Sequence, residues 1–168
     1  MISLVTPDLQ IDNVLELTVD RLRSLQLDGL LLDMDCTLKD YHHRHCKDDV
    51  IQWIRTLSGS GIQLCILSNA KPERLLPLVE TIGIPFVAKA FKPLPFGCRT
   101  GLQKLQLSAG RTAMVGDQLF SDILAGRLAG LFTILVRPTS AEEPWFTRIK
   151  RPMERRVLRR INHPHQSI

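Results

Sequence analysis

The feature that most constrains this chain is a short apolar run that ends in two closely spaced acids. Residues 30–32, all leucine, lead into Asp33 and Asp35, and Thr37 comes two positions later. A continuous apolar run of this kind predicts a strand that is buried on both faces, here over residues 30–34. Side chains alternate along a strand, so Asp33 and Asp35 are expected on the same side. In open α/β sheets the carboxyl ends of the strands are where ligands bind.

The spacing of these two acids suggests a metal site. Two like charges held this close are costly unless a cation joins them. The pair therefore predicts Mg²⁺ binding, with one carboxylate available as a nucleophile. On this stretch alone, the alternative is a strand that runs into an ordinary polar turn, where Asp and Thr are common.

Length and composition frame these expectations. A chain of 168 residues, 44% of them hydrophobic, predicts one soluble domain with a sizeable core. Its four cysteines show no paired spacing, and Cys65 lies in an apolar run, which indicates reduced thiols in a cytosolic protein. The sequence shows no signal-peptide pattern and no apolar run near the roughly 20 residues that cross a bilayer. The expected location is the cytoplasm.

The positive charge is concentrated at the C-terminal end. Residues 145–168 hold seven Lys and Arg and one acid, a net charge of +6, whereas the whole chain carries +5, which leaves −1 on residues 1–144. We therefore divide the chain into a domain over 1–144 and a basic tail over 145–168.

Three interpretations of this tail remain open. The first is a solvated, partly disordered end. The second is a helix in peripheral contact with an anionic membrane. The third is a nucleic-acid-binding segment, but few aromatic residues are there to stack on bases, so no nucleic acid is expected. The helix interpretation rests on five apolar residues that fall roughly on one side: Ile149, Met153, Val157, Leu158 and Ile161.

The rest of the chain alternates predicted strands with predicted helices. The strands are expected over 30–34, 62–67, 84–88, 112–115 and 131–136, and the helices over 18–27, 49–57, 72–81, 96–107 and 121–129. Residues 7–9 resemble a turn, and Pro77 is expected to kink or shorten its helix. This alternation predicts a parallel sheet with helices on both faces.

Further polar residues follow three of the other predicted strands. Ser68 follows the second strand, Lys92 the third, and Asp117 the fourth, with Asp122 shortly after it. All of them are expected at the edge of the sheet where the first pair of acids lies. A hydroxyl, an ammonium and a metal held by carboxylates suit phosphoryl transfer, which needs positioning and charge stabilisation.

In this order, the motifs resemble the four motifs of the haloacid dehalogenase (HAD) superfamily, over roughly residues 28–136. The resemblance implies a Rossmann-like three-layer α/β/α sandwich with a mainly parallel sheet. A cap domain, which many members insert between motifs, has no room here, because the intervals of 35 residues before Ser68 and 24 residues after it already hold predicted elements. Position 36 is Cys, where the superfamily more often has Asn, Asp, Gly or Glu.

The resemblance also implies roles for individual residues. Asp33 would be the nucleophile that forms an aspartyl-phosphate, and Asp35 the general acid and then the base. Mg²⁺ would be held by Asp33, the backbone carbonyl of Asp35, and Asp117, while Asp122 would support the metal or the lysine of the third motif. Four residues are expected to bind the phosphate: Thr37, Ser68, Asn69 and Lys92.

A narrower resemblance is to the small IIIA-type, YqeG-like phosphatases, whose members include phosphatidylglycerophosphate phosphatases. It rests on segments 67–69, 91–93, 114–122 and 131–136, and on the opening residues 7–9. It implies a phosphorylated, lipid-linked substrate, which a site without a cap could admit. The alternatives are another phosphate ester, such as a sugar phosphate, nucleotide or phosphoprotein, and a non-catalytic binding module on the same scaffold.

One more cluster could hold a metal. His42, His43, His45 and Cys46 are types of residue that bind Zn²⁺. A single cysteine and tightly bunched histidines form a poor tetrahedral site, so a solvated loop beside the active site is the favoured interpretation.

Overall fold

The structure of the chain is a computed structural model that describes residues 2–43, 45–139 and 145–162. In the described residues, a sheet of six parallel strands has the order β1-β6-β5-β2-β3-β4. The strands are Leu9–Ile11 (β1), Gly29–Leu32 (β2), Gln63–Leu67 (β3), Phe86–Val87 (β4), Thr112–Gly116 (β5) and Phe132–Val136 (β6).

Helices connect these strands. They are Val19–Ser24 (α1), Asp48–Gly59 (α2), Pro72–Ile82 (α3), Phe96–Leu105 (α4), Leu124–Leu128 (α5) and Trp145–Asn162 (α6). Thr18 caps α1 as predicted, because its hydroxyl accepts a hydrogen bond from the backbone N–H of Arg21 at 3.2 Å.

The central strand β2 divides the core into two layers. Leu30 and Leu32 pack in one hydrophobic cluster together with residues of α1, α2 and α3. Leu31 points into a second cluster with residues of α4 and α5. All three leucines are fully buried, which is what a strand covered on both faces requires. The predicted three-layer α/β/α sandwich is confirmed.

The strand β1 is absent from the sequence prediction, which placed a turn at residues 7–9. The backbone N–H of Asp8 donates to the carbonyl of Thr133 at 2.9 Å, and the Asp8 carboxylate accepts from the N–H and hydroxyl of Thr133 at 2.8 and 2.9 Å. Three residues are too few to show a period, and this edge strand depends on partners 125 positions away.

Most other boundaries also differ from the prediction, and three of these differences bear on the site or on a stated expectation. The strand β2 ends at Leu32 and not at residue 34, so both motif acids lie in the loop beyond it. The helix α3 continues through Pro77 to Ile82, so the expected shortening is wrong. In place of one helix over 121–129, a π-helical turn over Leu119–Ile123 precedes α5.

The C-terminal segment forms the helix α6, and part of it packs against the domain. Glu154 is buried and accepts a hydrogen bond from the N–H of Phe120 at 3.3 Å. Val157 and Leu158 pack on a cluster that contains Leu119. Residues 145–162 are therefore a helix that contacts the domain, and these two apolar side chains face the domain. Whether the tail is ordered in solution stays a prediction. The side chain of Ile149 lies outside the described residues, and the division at residue 144 stays a prediction.

The described chain has no inserted cap. Only α2 and β3 lie between the first and second motifs, and only α3 and β4 lie between the second and third. The carboxyl end of the sheet is thus left without a second domain above it.

Candidate active site

Backbone ladders that continue past the strands bring the motif residues to one edge of the sheet. The N–H of Asp33 donates to the carbonyl of Val115 at 2.8 Å, which extends the β2–β5 pairing by one residue. The N–H of Ser68 donates to Val87 at 3.0 Å and extends the β3–β4 pairing in the same way. The nucleophile candidate is therefore held by rigid backbone at the end of a central strand.

The centre of the site is a buried lysine between two carboxylates. Lys92 Nζ lies 2.6 Å from Asp33 Oδ1 and 2.6 Å from Asp122 Oδ1. The three side chains are 3%, 10% and 1% exposed. An ammonium in this position is fixed next to the nucleophile and can neutralise phosphate oxygens that approach Asp33.

The second motif holds Lys92 through its backbone. The Asn69 side chain donates to the Lys92 carbonyl at 2.9 Å and accepts from the Lys92 N–H at 2.8 Å. These two bonds show that Asn69 positions the lysine. The second proton of its NH₂ group is not used by them, so the phosphate-binding role of Asn69 stays a prediction. Ser68 Oγ accepts from the N–H of Ala70 at 3.1 Å, which leaves its hydroxyl proton free to donate to a phosphate.

The charged groups perturb one another. Burial raises the pKa of the Asp33 carboxyl to about 7, although the charge of Lys92 opposes this rise and the charge of Asp122 adds to it. Burial alone would lower the pKa of Lys92, but the charges of Asp122 and Asp33 outweigh it and raise that pKa above its usual value. These shifts favour the charged form of Lys92 and the protonated form of Asp33, relative to the free side chains, and a further cation near Asp33 would favour its ionised form.

The acid cluster fits a divalent metal ion. One carboxylate oxygen each from Asp33, Asp117 and Asp122 lies within 4.8 Å of the other two, and all three residues are buried. Three carboxylates and the ammonium of Lys92 leave two negative charges, which a divalent cation would balance. Both carboxylate oxygens of Asp122 already accept hydrogen bonds, one from Lys92 and the other, at 3.1 Å, from the N–H of Gln118. These bonds hold the loop that follows β5.

Gly116 makes room for this arrangement at the end of β5. A Cβ atom at this position would overlap the carboxylate of Asp122. The π-helical turn then brings Asp122 back against the strand end, where it meets Lys92. A glycine is required here by close packing and not by backbone conformation.

The loop after Asp35 contains a second charged cluster that the sequence analysis missed. Asp35 Oδ1 lies 2.7 Å from Lys39 Nζ and 3.0 Å from Arg74 Nη2. Arg74 is in α3, 39 positions away, so no local pattern links it to Asp35. In the sequence, only the position of Lys39, four residues after Asp35, could have indicated this cluster.

The turn between these groups has a left-handed residue at position 36. Cys36 has φ of +59°, a left-handed conformation that glycine, Asn and Asp adopt with least strain. The next residue, Thr37, is buried, and its Oγ1 has no hydrogen-bond partner in the described part of the chain. A buried hydroxyl of this kind is available to a ligand such as phosphate.

The zinc alternative finds no support in the described structure. Cys46 is buried in the core, whereas His42, His43 and His45 are exposed. Among the described residues, the acid triad is the only cluster of acids, histidines and cysteines with metal-binding spacing. All four cysteines are buried.

The raised pKa of Asp33 predicts how pH and metal affect stability. A carboxyl whose pKa is higher in the folded state contributes stability below its unfolded value near 4, and this contribution is lost as pH rises through about 7. Without metal, Asp33→Asn should therefore melt above the wild type at pH 8, by about 4 °C or more, and by less at pH 5. Thermal melts in EDTA and in excess Mg²⁺ measure this.

Metal should reduce the difference at pH 8, because only the ionised wild-type carboxylate gains a cation. The control is Asp20→Asn, which changes an exposed acid of α1 in the same way. A difference between Asp33→Asn and the wild type that does not vary with pH would contradict the raised pKa.

Comparisons with known proteins agree with this geometry. The family model for haloacid dehalogenase-like hydrolases matches residues 8–130. A probable phosphatase named YqeG from Bacillus subtilis (strain 168) is 32% identical over 152 residues, which cover 90% of this chain and 88% of that protein.

Two solved structures share the fold. Cobalt-bound deoxy-D-mannose-octulosonate 8-phosphate phosphatase (YrbI) of Haemophilus influenzae has a TM-score of 0.56 and 18% identity, covering 82% of this chain and 91% of its own. NagD of Escherichia coli K-12 has a TM-score of 0.56 and 17% identity, covering 68% of this chain and 90% of its own. The chain therefore belongs to the haloacid dehalogenase-like hydrolase family, among its phosphatases.

Proposed function

We propose that this protein is a Mg²⁺-dependent phosphomonoester hydrolase that acts through an aspartyl-phosphate, with the lipid phosphatidylglycerophosphate as its substrate. The observation that carries the phosphatase proposal is the contact between Lys92 and Asp33, at 2.6 Å and beside the acid cluster. A nucleophile, a fixed cation and oxygen ligands for a metal are the parts that phosphoryl transfer needs. All of these residues are present, which argues against a non-catalytic binding module.

The reaction has two steps on this chain's residues. In the first, an oxygen of Asp33 attacks phosphorus, the bond from phosphorus to the alcohol oxygen breaks, and Asp35 gives its proton to the leaving oxygen. In the second, Asp35 takes a proton from water as the water oxygen attacks phosphorus, and the carboxylate of Asp33 is released. Lys92, Ser68 and Thr37 bind the phosphoryl oxygens in both steps.

Asp33 and Asp117 would hold the metal directly, together with the carbonyl of Asp35. When bound, Mg²⁺ neutralises charge between the carboxylates and the phosphate, so that an anionic nucleophile can approach an anionic ester.

An apolar rim supports the lipid substrate. Phe91, Leu94 and Phe96 are 65%, 48% and 58% exposed, and they lie in and just after the loop that carries Lys92. Exposed apolar side chains grouped around a binding residue are typical of surfaces that contact lipid or protein. With no cap above the site, a phosphate on a membrane lipid could reach Asp33 while these side chains enter the interface.

The helix α6 supports peripheral membrane contact in a different way from that first expected. Arg155, Arg156, Arg159 and Arg160 are exposed, while other residues of the helix pack on the domain. Each basic side chain near an anionic surface contributes about 1 kcal/mol to binding. None of the helices in the described residues combines the length and hydrophobicity needed to cross a bilayer.

Phosphate release tests the proposal. The protein should hydrolyse a soluble aryl phosphate in Mg²⁺, lose this activity in EDTA, and lose most of it when Ca²⁺ replaces Mg²⁺, because Ca²⁺ takes longer and looser coordination. Phosphatidylglycerophosphate in anionic vesicles should be hydrolysed with higher kcat/KM than sugar phosphates, nucleotides or phosphopeptides. Full activity in EDTA would refute the metal assignment.

Two variants separate the lipid proposal from the phosphatase proposal. Leu94→Ser/Phe96→Ser should lower hydrolysis in vesicles far more than hydrolysis of the soluble ester, and Leu128→Ser, at another exposed leucine, is the control. Replacing the four exposed arginines Arg155, Arg156, Arg159 and Arg160 by Gln should weaken vesicle binding at low salt. Substitution is preferable to deletion, because removal of α6 would uncover the cluster around Leu119. If both variants match the wild type on vesicles, the lipid substrate is wrong.

A further inference from the structure

Two cations contact one oxygen of the general acid. Lys39 Nζ and Arg74 Nη2 lie 2.7 Å and 3.0 Å from Asp35 Oδ1. When Asp35 is ionised, as after it has protonated the leaving oxygen, the trio has a net charge of +1. Before that step, with the proton on Asp35, the net charge is +2, so the trio is positive in both states. The neighbouring acid Asp40 does not pair with Arg74 in these contacts, and its Oδ2 lies 3.4 Å from His43 Nδ1.

Lys39 is the cation that balances Asp35. Its side chain is only 3% exposed, and its ammonium also donates to the backbone carbonyl of Asp40 at 3.3 Å. A buried lysine needs an acid close by, and Asp35 meets this need. The charge of Arg74 is therefore the excess charge of the trio.

Arg74 is held in place but retains unused donors. Its Nη2 also donates to the carbonyl of Tyr41 at 3.1 Å, and its guanidinium lies 4.3 Å from the centre of the Tyr41 ring. The side chain is 37% exposed. Neither Nη1 nor Nε donates to any residue that the structure describes, so one edge of the guanidinium can bind a ligand without losing a protein contact.

The location of Arg74 determines which part of a substrate it can contact. Its side chain contacts are with Asp35 and Tyr41, whereas the phosphoryl-binding lysine contacts Asp33 and Asp122. Asp35 is the group that protonates the leaving oxygen, so Arg74 contacts the residue next to the leaving alcohol and none of the residues that hold the phosphoryl-binding lysine. A planar guanidinium suits an oxyanion with two oxygens.

We propose that Arg74, supported by Lys39 and Tyr41, forms a second anion subsite that binds a carboxylate or phosphodiester on the leaving alcohol of the substrate. The inference rests on the proposed phosphatase activity and narrows its substrate to esters that carry a second negative charge. The subsite binds the anionic group itself, whether that group belongs to a lipid headgroup or to a small metabolite.

Matched pairs of substrates test the subsite. Glycerol 3-phosphate is compared with 3-phosphoglycerate, which replaces one hydroxymethyl group by a carboxylate, and with a glycerol phosphate bearing a methyl phosphodiester. The wild type should have a higher kcat/KM for the two esters that carry a second anionic group than for glycerol 3-phosphate. Arg74→Gln should lower this preference about 10- to 100-fold, since a charged hydrogen bond is lost. Arg74→Lys, which keeps the charge, should retain part of it.

Arg111→Gln is the matched control. Arg111 also pairs with an acid, Asp28 Oδ2 at 2.6 Å, but it precedes β5 at the opposite end of the strands. The variant Arg111→Gln should leave the preference for esters with a second anionic group unchanged. Thermal melts check that each variant is folded.

The outcomes are distinct. If Arg74→Gln lowers kcat/KM by the same factor for esters with and without a second anionic group, Arg74 only positions Asp35 and the subsite is refuted. An unchanged preference refutes it as well. If the wild type hydrolyses none of these three esters and also fails on the soluble aryl phosphate and on phosphatidylglycerophosphate, the phosphatase proposal fails. Calorimetric binding of 3-phosphoglycerate and glycerol 3-phosphate to wild type and Arg74→Gln then decides the subsite alone: a loss of the difference in affinity supports it, and an equal affinity in the wild type overturns it.

Discussion

Asp33→Asn should reduce turnover by on the order of 10³-fold or more, in line with the loss of other nucleophilic side chains. An amide cannot form the acyl phosphate, and the substitution also removes one carboxylate ligand of the metal. The fold should be retained, because the backbone of Asp33 remains paired with Val115. Phosphate release from a soluble aryl ester in Mg²⁺, set against a thermal melt, measures both quantities.

The covalent step can be observed directly. Wild-type protein quenched with acid during turnover should carry one phosphoryl group on the peptide that contains Asp33, and the variant should carry none. Asp20→Asn, at an exposed acid, should behave as the wild type in both respects. Activity of Asp33→Asn within tenfold of the wild type would exclude Asp33 as the nucleophile.

The substitution Lys92→Met should have the largest effect on stability. It leaves Asp33 and Asp122, which are 10% and 1% exposed, without their shared cation. Breaking a buried pair by removing one partner costs about 3–5 kcal/mol. Urea unfolding at pH 8 in EDTA should show a loss of this size, and phosphate release should fall below detection.

The loss caused by Lys92→Met should be smaller at pH 5.5, since carboxyls that protonate need no counter-charge. The double variant Lys92→Met/Asp122→Asn should recover part of the lost free energy of unfolding at pH 8. Lys104→Met, at an exposed lysine of α4, is the control for the change of residue type. If Lys92→Met unfolds at the same urea concentration as the wild type at both pH values, the buried network has been described wrongly.

Local patterns in the sequence were sufficient for the architecture and for most of the motif residues. The leucines before Asp33 are apolar because both faces of β2 are covered, and this burial on both sides is visible as an uninterrupted run. Polar residues after successive parallel strands share one edge of the sheet for geometric reasons, so Asp33, Lys92 and Asp117 could be brought together before any coordinates were known.

Tertiary contacts decided the features that local patterns do not contain. The edge strand β1 depends on Asp8 and Thr133, which are 125 positions apart. The two hydrogen bonds of Asn69 to the backbone of Lys92 join residues 23 positions apart. Arg74, which belongs to the helix α3, contacts Asp35 in the loop after β2. Its guanidinium gives the cluster around Asp35 its excess positive charge.

The C-terminal helix shows the same limit. Its sequence shows basic and apolar residues at helical spacing, and that pattern fits both a membrane surface and the surface of the domain. Only the structure places Val157 and Leu158 on the domain and Glu154 against the N–H of Phe120. The hydrophobic effect has no direction, so a sequence indicates that an apolar face is to be buried, whereas the fold determines what buries it.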